Sequence, residues 1–284
     1  NIADMEKIPG VTQIGDEFAI IGEGAEFPNF GVSEDYQHVT FKSKRGGIVP
    51  VTKEAVLFDL TGKLLDHCRR LGDYLGLNKE KRIIDATIDE NAGAVSAVAG
   101  GHRYHWKDTS YASFQSTTPW INIKTGNGLV DYRDVENAWL LLVQITDPYT
   151  GEPIRIQPKH LIVTPQNVMS AYRTLRATNV QMHAGGYNAS ANVLDTHSPS
   201  PLGAVPVLQG LQVVTSQQLA ARAGTDTDWW LGDLSKAVRY YSNWDISTEE
   251  APANNSEMFR RDIIFQYKAS EQGCAAVIDP RYLV

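Results

Sequence analysis

The sequence predicts an α+β fold. Three observations support this prediction: an apolar strand that runs directly into a helix over residues 46–59, a helical repeat of apolar residues from Lys63, and an alternating segment from Met258. Apolar residues every three or four positions indicate an amphipathic helix, whereas alternation indicates a strand. The chain has 284 residues, of which 42% are hydrophobic. This length suffices for one large domain or two ordinary ones.

Residues 1–33 are predicted to form an extended N-terminal arm. They contain five glycines, two prolines and a single short apolar run, Phe18–Ile21. Such a composition does not supply enough apolar surface for an independent core. We therefore expect this segment to reach away from the rest of the subunit.

Residues 34–52 are predicted to form a projecting hairpin. The segment alternates before Arg45–Gly47, and the two glycines there are typical of a tight turn between strands. Pro50 in the returning strand indicates a sheet edge, because proline cannot donate a ladder hydrogen bond. Thr52 is placed to cap the helix that follows. A hairpin of this kind buries little within its own subunit, so we expect its partner to be another copy of the chain.

A long amphipathic helix is predicted from Lys63 onward. Its apolar face repeats at spacings of four, three and four, with Leu64, Cys68, Leu71 and Leu75. The pattern continues to Ile88, with Gly72 and Gly76 as weak points, and ends in the glycine- and alanine-rich residues 91–101. A helix of this length can act as a spine for the subunit.

The second half of the chain predicts further helices and strands. Asp131 indicates the cap of a helix that ends near Asp147. His160–Val163 indicates a buried strand, and Thr164 then caps a helix whose first position is a proline. Further strands are predicted at 211–215, within 229–244, at 258–268 and at 275–278, while residues 102–128 suit short strands and loops.

Candidate chemistry is sparse. His102 and His105 have an H-x-x-H spacing, but no third ligand accompanies them, so surface or interface histidines are the favoured interpretation. The alternative is a soluble two-domain, metal-dependent enzyme that uses both histidines and an acidic residue. Cys68 and Cys274 are far apart in sequence and are interpreted as buried thiols. The sequence therefore predicts no catalytic, cofactor-binding or metal-binding residues.

The charge balance limits the possible partners. The formal net charge is -7, and basic residues cluster only in short pairs such as Arg69-Arg70 and Arg260-Arg261. This argues against a surface that holds nucleic acid by neutralising many phosphates. No apolar run is long enough to cross a membrane.

Four segments in order carry a resemblance to a known family. They are IVPVTKEAVLFD (48–59), QPKHLIVTPQNVMSAYRTL (157–175), GLQVVTSQQL followed by DWWLGDLSKAVRYY (210–241), and MFRRDIIFQYKASEQGCAAVIDPRYLV (258–284). Together they resemble the major capsid proteins of tailed bacteriophages, which have the Hong Kong 97-type fold. The resemblance implies four parts: an N-terminal arm (1–33), an extended loop hairpin (34–52), a peripheral domain with a spine helix (53–128 and 254–284) and an axial domain (129–253).

The resemblance also implies a function. It indicates a head shell protein without enzymatic activity or cofactor, which assembles in the host cytoplasm as pentamers and hexamers into an icosahedral virion shell around double-stranded DNA. Scaffold, portal, maturation protease and decoration proteins are the implied partners, and a start at Asn1 fits removal of an upstream scaffold segment. An encapsulin-like shell that encloses cargo enzyme shares the fold and remains the alternative.

Three basic residues at the predicted hairpin tip are the candidate inter-subunit contacts: Lys42, Lys44 and Arg45. They can pair with acidic groups on a neighbour. It is equally consistent with the sequence that they form a solvated tip, which keeps an exposed strand edge from aggregating.

Overall fold

The computed structural model describes residues 7–11, 21, 26, 34–38, 44–58, 66, 70–88, 103–106, 109–117, 120–147, 150–176, 179–182, 196–199, 208, 210–252 and 259–284. The strands in these ranges are β1 (Lys7–Val11), β2 (Glu34–His38), β3 (Lys44–Thr52), β4 (Arg103–Trp106), β5 (Thr109–Ala112), β6 (His160–Val163), β7 (Asn179–Met182), β8 (Thr196–Pro199), β9 (Gln212–Val214), β10 (Trp229–Gly232), β11 (Val238–Pro252) and β12 (Ile263–Val277). The helices are α1 (Lys53–Phe58), α2 (Leu71–Thr87), α3 (Tyr132–Gln144), α4 (Val168–Arg176), α5 (Gln217–Ala223) and α6 (Leu234–Ala237).

The longest sheet is antiparallel and has the order β11-β12-β3. Its central strand, β12, pairs with β11 from Phe265 to Val277 and with β3 from Ile263 to Gln272. The predicted turn at Gly46 and Gly47 is therefore wrong, since both glycines lie inside β3. The expectation that this strand finds its partner only on another copy is wrong for the same reason, because β3 is paired within its own chain.

Position 46 of β3 requires a glycine, because the backbone of the neighbouring strand leaves no room for a side chain. A Cβ at Gly46 would lie 2.5 Å from the carbonyl oxygen of Ala269, whereas a Cβ at Gly47 would have no atom within 4 Å. Gly46 therefore lies where β12 approaches β3 closely, whereas the space beside Gly47 is open. A strand glycine often marks such close approach of another backbone.

Substitution of these two glycines should separate their roles. Gly46→Ala is expected to lower the free energy of unfolding by about 1–3 kcal/mol, because β3 must shift away from β12. Gly47→Ala is the matched control and should leave stability nearly unchanged. Urea denaturation of both variants measures the difference, and equal stabilities would contradict the close packing of β3 on β12.

The transition from β3 to α1 agrees with the sequence prediction. The amide of Ala55 donates to Thr52 Oγ1 at 3.3 Å, which confirms the predicted cap. Pro50 lies on an edge strand of the sheet, as predicted. α1 contains no buried residue.

The spine helix α2 lies across the β11-β12-β3 sheet. Its C-terminal part is buried, with Ile84, Ala86 and Thr87 in the interior. Gly72 approaches β11 closely, since a Cβ there would lie 2.9 Å from Thr248 Cγ2. Gly72, predicted as a weak point of the helix, therefore lies where the helix packs closely on β11. Cys274 on β12 is buried as predicted, while Cys68 and residues 91–101 lie outside the described residues.

A second, mixed sheet has the order β10-β6-β9. β6 is antiparallel to β10 and parallel to β9. α3 packs against this region through Val135, Ala138 and Leu142, which are buried. Asp131 caps α3 as predicted, and Asp134 completes a capping box.

The predicted side-chain cap of α4 does not form. Thr164 makes no side-chain cap; its hydroxyl instead donates to the Asp226 carbonyl at 2.5 Å, which ties the end of β6 to a distant loop. The chain then forms one 3-10 turn, Pro165–Asn167, before α4 begins. The buried face of α4 contains Ala171 and Thr174, whereas the side chain of Tyr172 is exposed.

In sequence, β11 lies between strands of the two sheets. In space, it belongs to the first sheet, β11-β12-β3. The predicted axial domain, residues 129–253, contains β11, but this strand is hydrogen-bonded to β12 from Val238 through Pro252. Two register shifts, between Ser242 and Trp244 and between Trp244 and Ser247, interrupt this ladder. Such irregularities increase the local twist of an edge strand.

Two further antiparallel sheets complete the described strands. One has the order β1-β2-β4-β5, and the other pairs β7 with β8. Residues 7–11, expected as extended arm, form a strand paired with β2. β2 itself pairs with β1 and β4 and not with β3, so the hairpin predicted over residues 34–52 does not form as a simple two-stranded unit.

Candidate inter-subunit surfaces

The predicted contact residues lie at the start of β3. Lys44 is opposite Gln272 and Arg45 is opposite Glu271 in the β3-β12 register, so neighbouring positions on the strand place the two side chains on opposite faces of the sheet. Lys42 lies outside the described residues. The structure therefore does not gather the basic residues at a hairpin tip. The two side chains leave the strand on opposite faces, although both residues border one groove between β3 and α2.

Lys44 interacts with its own sheet. Its Nζ lies 5.9 Å from the centroid of the Trp244 ring, within the range of a cation–π contact. On the same sheet, the pKa of Glu249 is held below its ordinary value by a hydrogen bond and charge from Lys268, with a smaller contribution from the charge of Lys44. The charge of Lys44 therefore already interacts with groups of its own subunit.

Arg45 lies at the rim of a groove between β3 and α2, called the β3–α2 groove here. The groove has a volume of about 440 Å³, and its lining includes Gly46, Gly47, Leu71, Tyr74 and Leu75. Leu71 and Leu75 are half-buried, and Tyr74 is 54% exposed. Arg45 is exposed and has no ion-pair partner among the described residues.

Apolar side chains are also exposed on α1. Leu57 and Phe58 are 75% and 76% exposed, and Val56 is exposed as well. Phe259, at the start of the last described range, is 92% exposed. Single exposed apolar residues are ordinary on protein surfaces, but grouped ones indicate a surface that another molecule covers.

A buried ion pair holds α2 to the sheet beside the groove. The Arg82 guanidinium contacts the carboxylate of Glu271, whose side chain is only 1% exposed. Arg82 also donates to the Gly273 carbonyl at 3.3 Å, and the Tyr240 hydroxyl lies 3.4 Å from Glu271 Oε2. Lys79 adds a contact at the surface, with its Nζ 4.3 Å from the Tyr240 ring centroid. The walls of the groove are therefore fixed relative to each other.

The alternative metal site finds no support in the described part of the chain. No group of three or more His, Cys, Asp or Glu residues in that part is arranged to hold a metal ion. His102 lies outside the described residues, and His105 is a residue of β4. In the same ranges, no helix has both the length and the apolar character needed to cross a bilayer.

A family model described as phage capsid protein matches residues 37–284. The chain belongs to this family. It is a shell-forming structural protein of a phage particle, and copies of it associate with one another in that shell. The family assignment confirms the resemblance inferred from the four sequence segments. No curated protein matches the chain.

Solved structures confirm the fold class. The capsid structure of cyanophage P-SCSP1u aligns with a TM-score of 0.53 at 12% identity, over 99% of this chain and 83% of that one. A chain from Gordonia phage Cozz gives a TM-score of 0.55 at 15% identity, over 99% and 80%. The capsid of a native GTA particle gives 0.50 at 10% identity, over 99% and 84%.

Sequence reasoning missed the apolar surfaces. It found Lys44 and Arg45 from their charge, but it assigned Leu71 and Leu75 to a buried stripe and did not identify Leu57 or Phe58. The sequence of α1 contained the signal that could have identified this surface. Its apolar residues are adjacent to one another, so no polar face can be defined on the helix.

Proposed function

We propose that the chain is the major subunit of an icosahedral phage head, built from pentamers and hexamers, that encloses double-stranded DNA. The family match over residues 37–284 carries this proposal. The exposed apolar residues of α1 and the open β3–α2 groove support it, because a shell multiplies modest contacts between many copies into a large total stability.

We place the division between the two main domains near residue 237. β3, α1, α2, β11 and β12 then form the peripheral domain, since the sheet β11-β12-β3 and its covering helix are one packed unit. The axial domain comprises residues 129–237, around β10-β6-β9. The extended loop ends before Lys44, because β3 belongs to the peripheral sheet. Residues 1–33 remain the proposed arm.

The acidic balance supports the enclosure of DNA without tight binding. A net charge of -7 disfavours a surface that holds nucleic acid by neutralising many phosphates. The subunit acts without catalysis, and it assembles in the host cytoplasm with scaffold, portal, maturation protease and decoration proteins before it becomes part of the virion. Lys42, Lys44 and Arg45 remain proposed contacts between subunits.

The contents of the particle distinguish this function from the encapsulin-like alternative. Particles isolated from the producing cells are expected to contain double-stranded DNA that resists nuclease until the shell is opened. Particles that hold a stoichiometric cargo protein and no DNA would contradict the proposal and favour a cargo shell. Absorbance spectra with nuclease digestion, followed by mass spectrometry of the contents, measure both.

A further inference from the structure

The β3–α2 groove has the form of a receiving site for apolar side chains. Its floor is the backbone of Gly46 and Gly47, and the Cβ position of Gly47 has no atom within 4 Å. Gly47 is opposite Ala269 in the register, and Ala269 also lines the groove, so a side chain at Gly47 would enter it. Leu71 and Leu75 form the apolar wall, and Arg45 supplies a positive charge at the rim.

One face of α1 is complementary to this groove. Glu54, Leu57 and Phe58 are spaced three and four residues apart, so they share a side of the helix. All three are exposed, and Leu57 and Phe58 present most of their surface to solvent. Burial of leucine and phenylalanine side chains favours association, because it removes apolar surface from water. The face therefore offers two apolar side chains and one negative charge to a groove that has an apolar wall and the positive charge of Arg45 at its rim, with Lys44 beside it.

A subunit does not fill its own groove with its own α1. The Lys53 amide donates to the Asp262 carbonyl at 2.8 Å, which fixes the start of α1 at the far end of the sheet. Gly47 is six residues from Lys53 along an extended strand, a separation of about 20 Å. The exposure of Leu57 and Phe58 agrees with this separation. The complementary surfaces can therefore meet only between copies.

We propose that the α1 face of one subunit docks into the β3–α2 groove of a neighbouring subunit, with Leu57 and Phe58 over Gly47 and Glu54 paired with Arg45. This inference rests on the proposed shell function and names one of its contacts. The two surfaces differ, so the contact is heterologous, and repetition of a heterologous contact closes into a ring when the rotation permits.

Two variants test the contact from its two sides. Gly47→Trp places an indole in the groove, at a position where the added Cβ has no atom within 4 Å. Leu57→Ser with Phe58→Ser removes the apolar side chains of α1, where no side chain is buried. Each variant is expected to remain folded by circular dichroism and to lose shell formation in sedimentation velocity. Mixing the two should produce a species of twice the subunit mass and no shells, because only one groove and one α1 face remain usable.

A charge exchange provides an independent readout. Arg45→Glu and Glu54→Arg should each weaken assembly, and the double variant should restore it, because the reversed charges pair again between copies. Shells from Gly47→Trp indistinguishable from wild type, or no restoration by the charge exchange, would overturn the proposed docking. If the unmodified chain forms neither shells nor rings, the proposed function itself fails, so the two failures are distinguishable.

Discussion

Replacement of Glu271 by Gln is expected to lower the free energy of unfolding by about 3–5 kcal/mol. The Glu271 side chain is 1% exposed and forms an ion pair with Arg82, whose side chain is 16% exposed. The amide preserves the shape of the carboxylate but leaves the Arg82 charge buried without its counter-charge. α2 then loses its main polar attachment to β12, and chemical denaturation measures the loss.

The matched control is Glu249→Gln on the same sheet. Glu249 forms an ion pair with Lys268 at 2.8 Å, but both side chains are well exposed, so solvent screens their attraction. We expect little change in stability for this variant. Similar losses for Glu271→Gln and Glu249→Gln would show that α2 is not held by a buried charge pair.

Asn122→Leu is expected to lower the free energy of unfolding by about 2–6 kcal/mol, because it removes hydrogen bonds to buried backbone groups. The Asn122 side chain is buried, and its Nδ2 donates to the carbonyls of Pro280 and Leu283 at 3.2 and 3.0 Å. Its Oδ1 accepts from the Gln115 amide at 2.7 Å. The side chain therefore joins the 113–123 loop to the last residues of the chain, which pair with β10.

Asn137→Leu serves as the control for this variant. Asn137 is exposed and donates once, to Asn127 Oδ1 at 3.3 Å. Its replacement should leave the thermal midpoint nearly unchanged, whereas Asn122→Leu should lower it strongly. Amide hydrogen exchange locates the effect, since protection of Leu231 and Val284, which exchange backbone hydrogen bonds, should fall in Asn122→Leu. Unchanged protection there would contradict the role of Asn122 as a link.

Local sequence signals predicted the local features of the fold. The Asp131 cap and the Thr52 cap depend on residues within one helical turn, and both are present. The alternation of the last segment likewise identified β12, although the structure extends it into one strand of 15 residues.

Features that depend on distant residues could not be predicted in this way. Gly46 and Gly47 have the same local signature in a turn as in a strand that approaches another backbone. Only the pairing of β3 with β12, more than 200 positions away, distinguishes the two. Thr164 likewise has the local features of a cap, but the Asp226 carbonyl, 62 residues away in sequence, accepts its hydroxyl.

The candidate contact surface was predicted in part. Charge alone identified Lys44 and Arg45, and strand alternation then separates them onto two faces. The β3–α2 groove requires two glycines from one element and the leucines of another, so its form depends on tertiary packing. Exposure of Leu57 and Phe58 could be determined only from a folded subunit.

Electron microscopy of the purified chain, combined with sedimentation velocity, tests whether this chain assembles into a shell. We expect closed shells or rings of five and six subunits, in equilibrium with free subunits. Rings without shells would still support self-association through the subunit surfaces. A single monodisperse monomer at all protein concentrations, with the fold intact by circular dichroism, would contradict the assignment of this chain as a self-assembling shell protein.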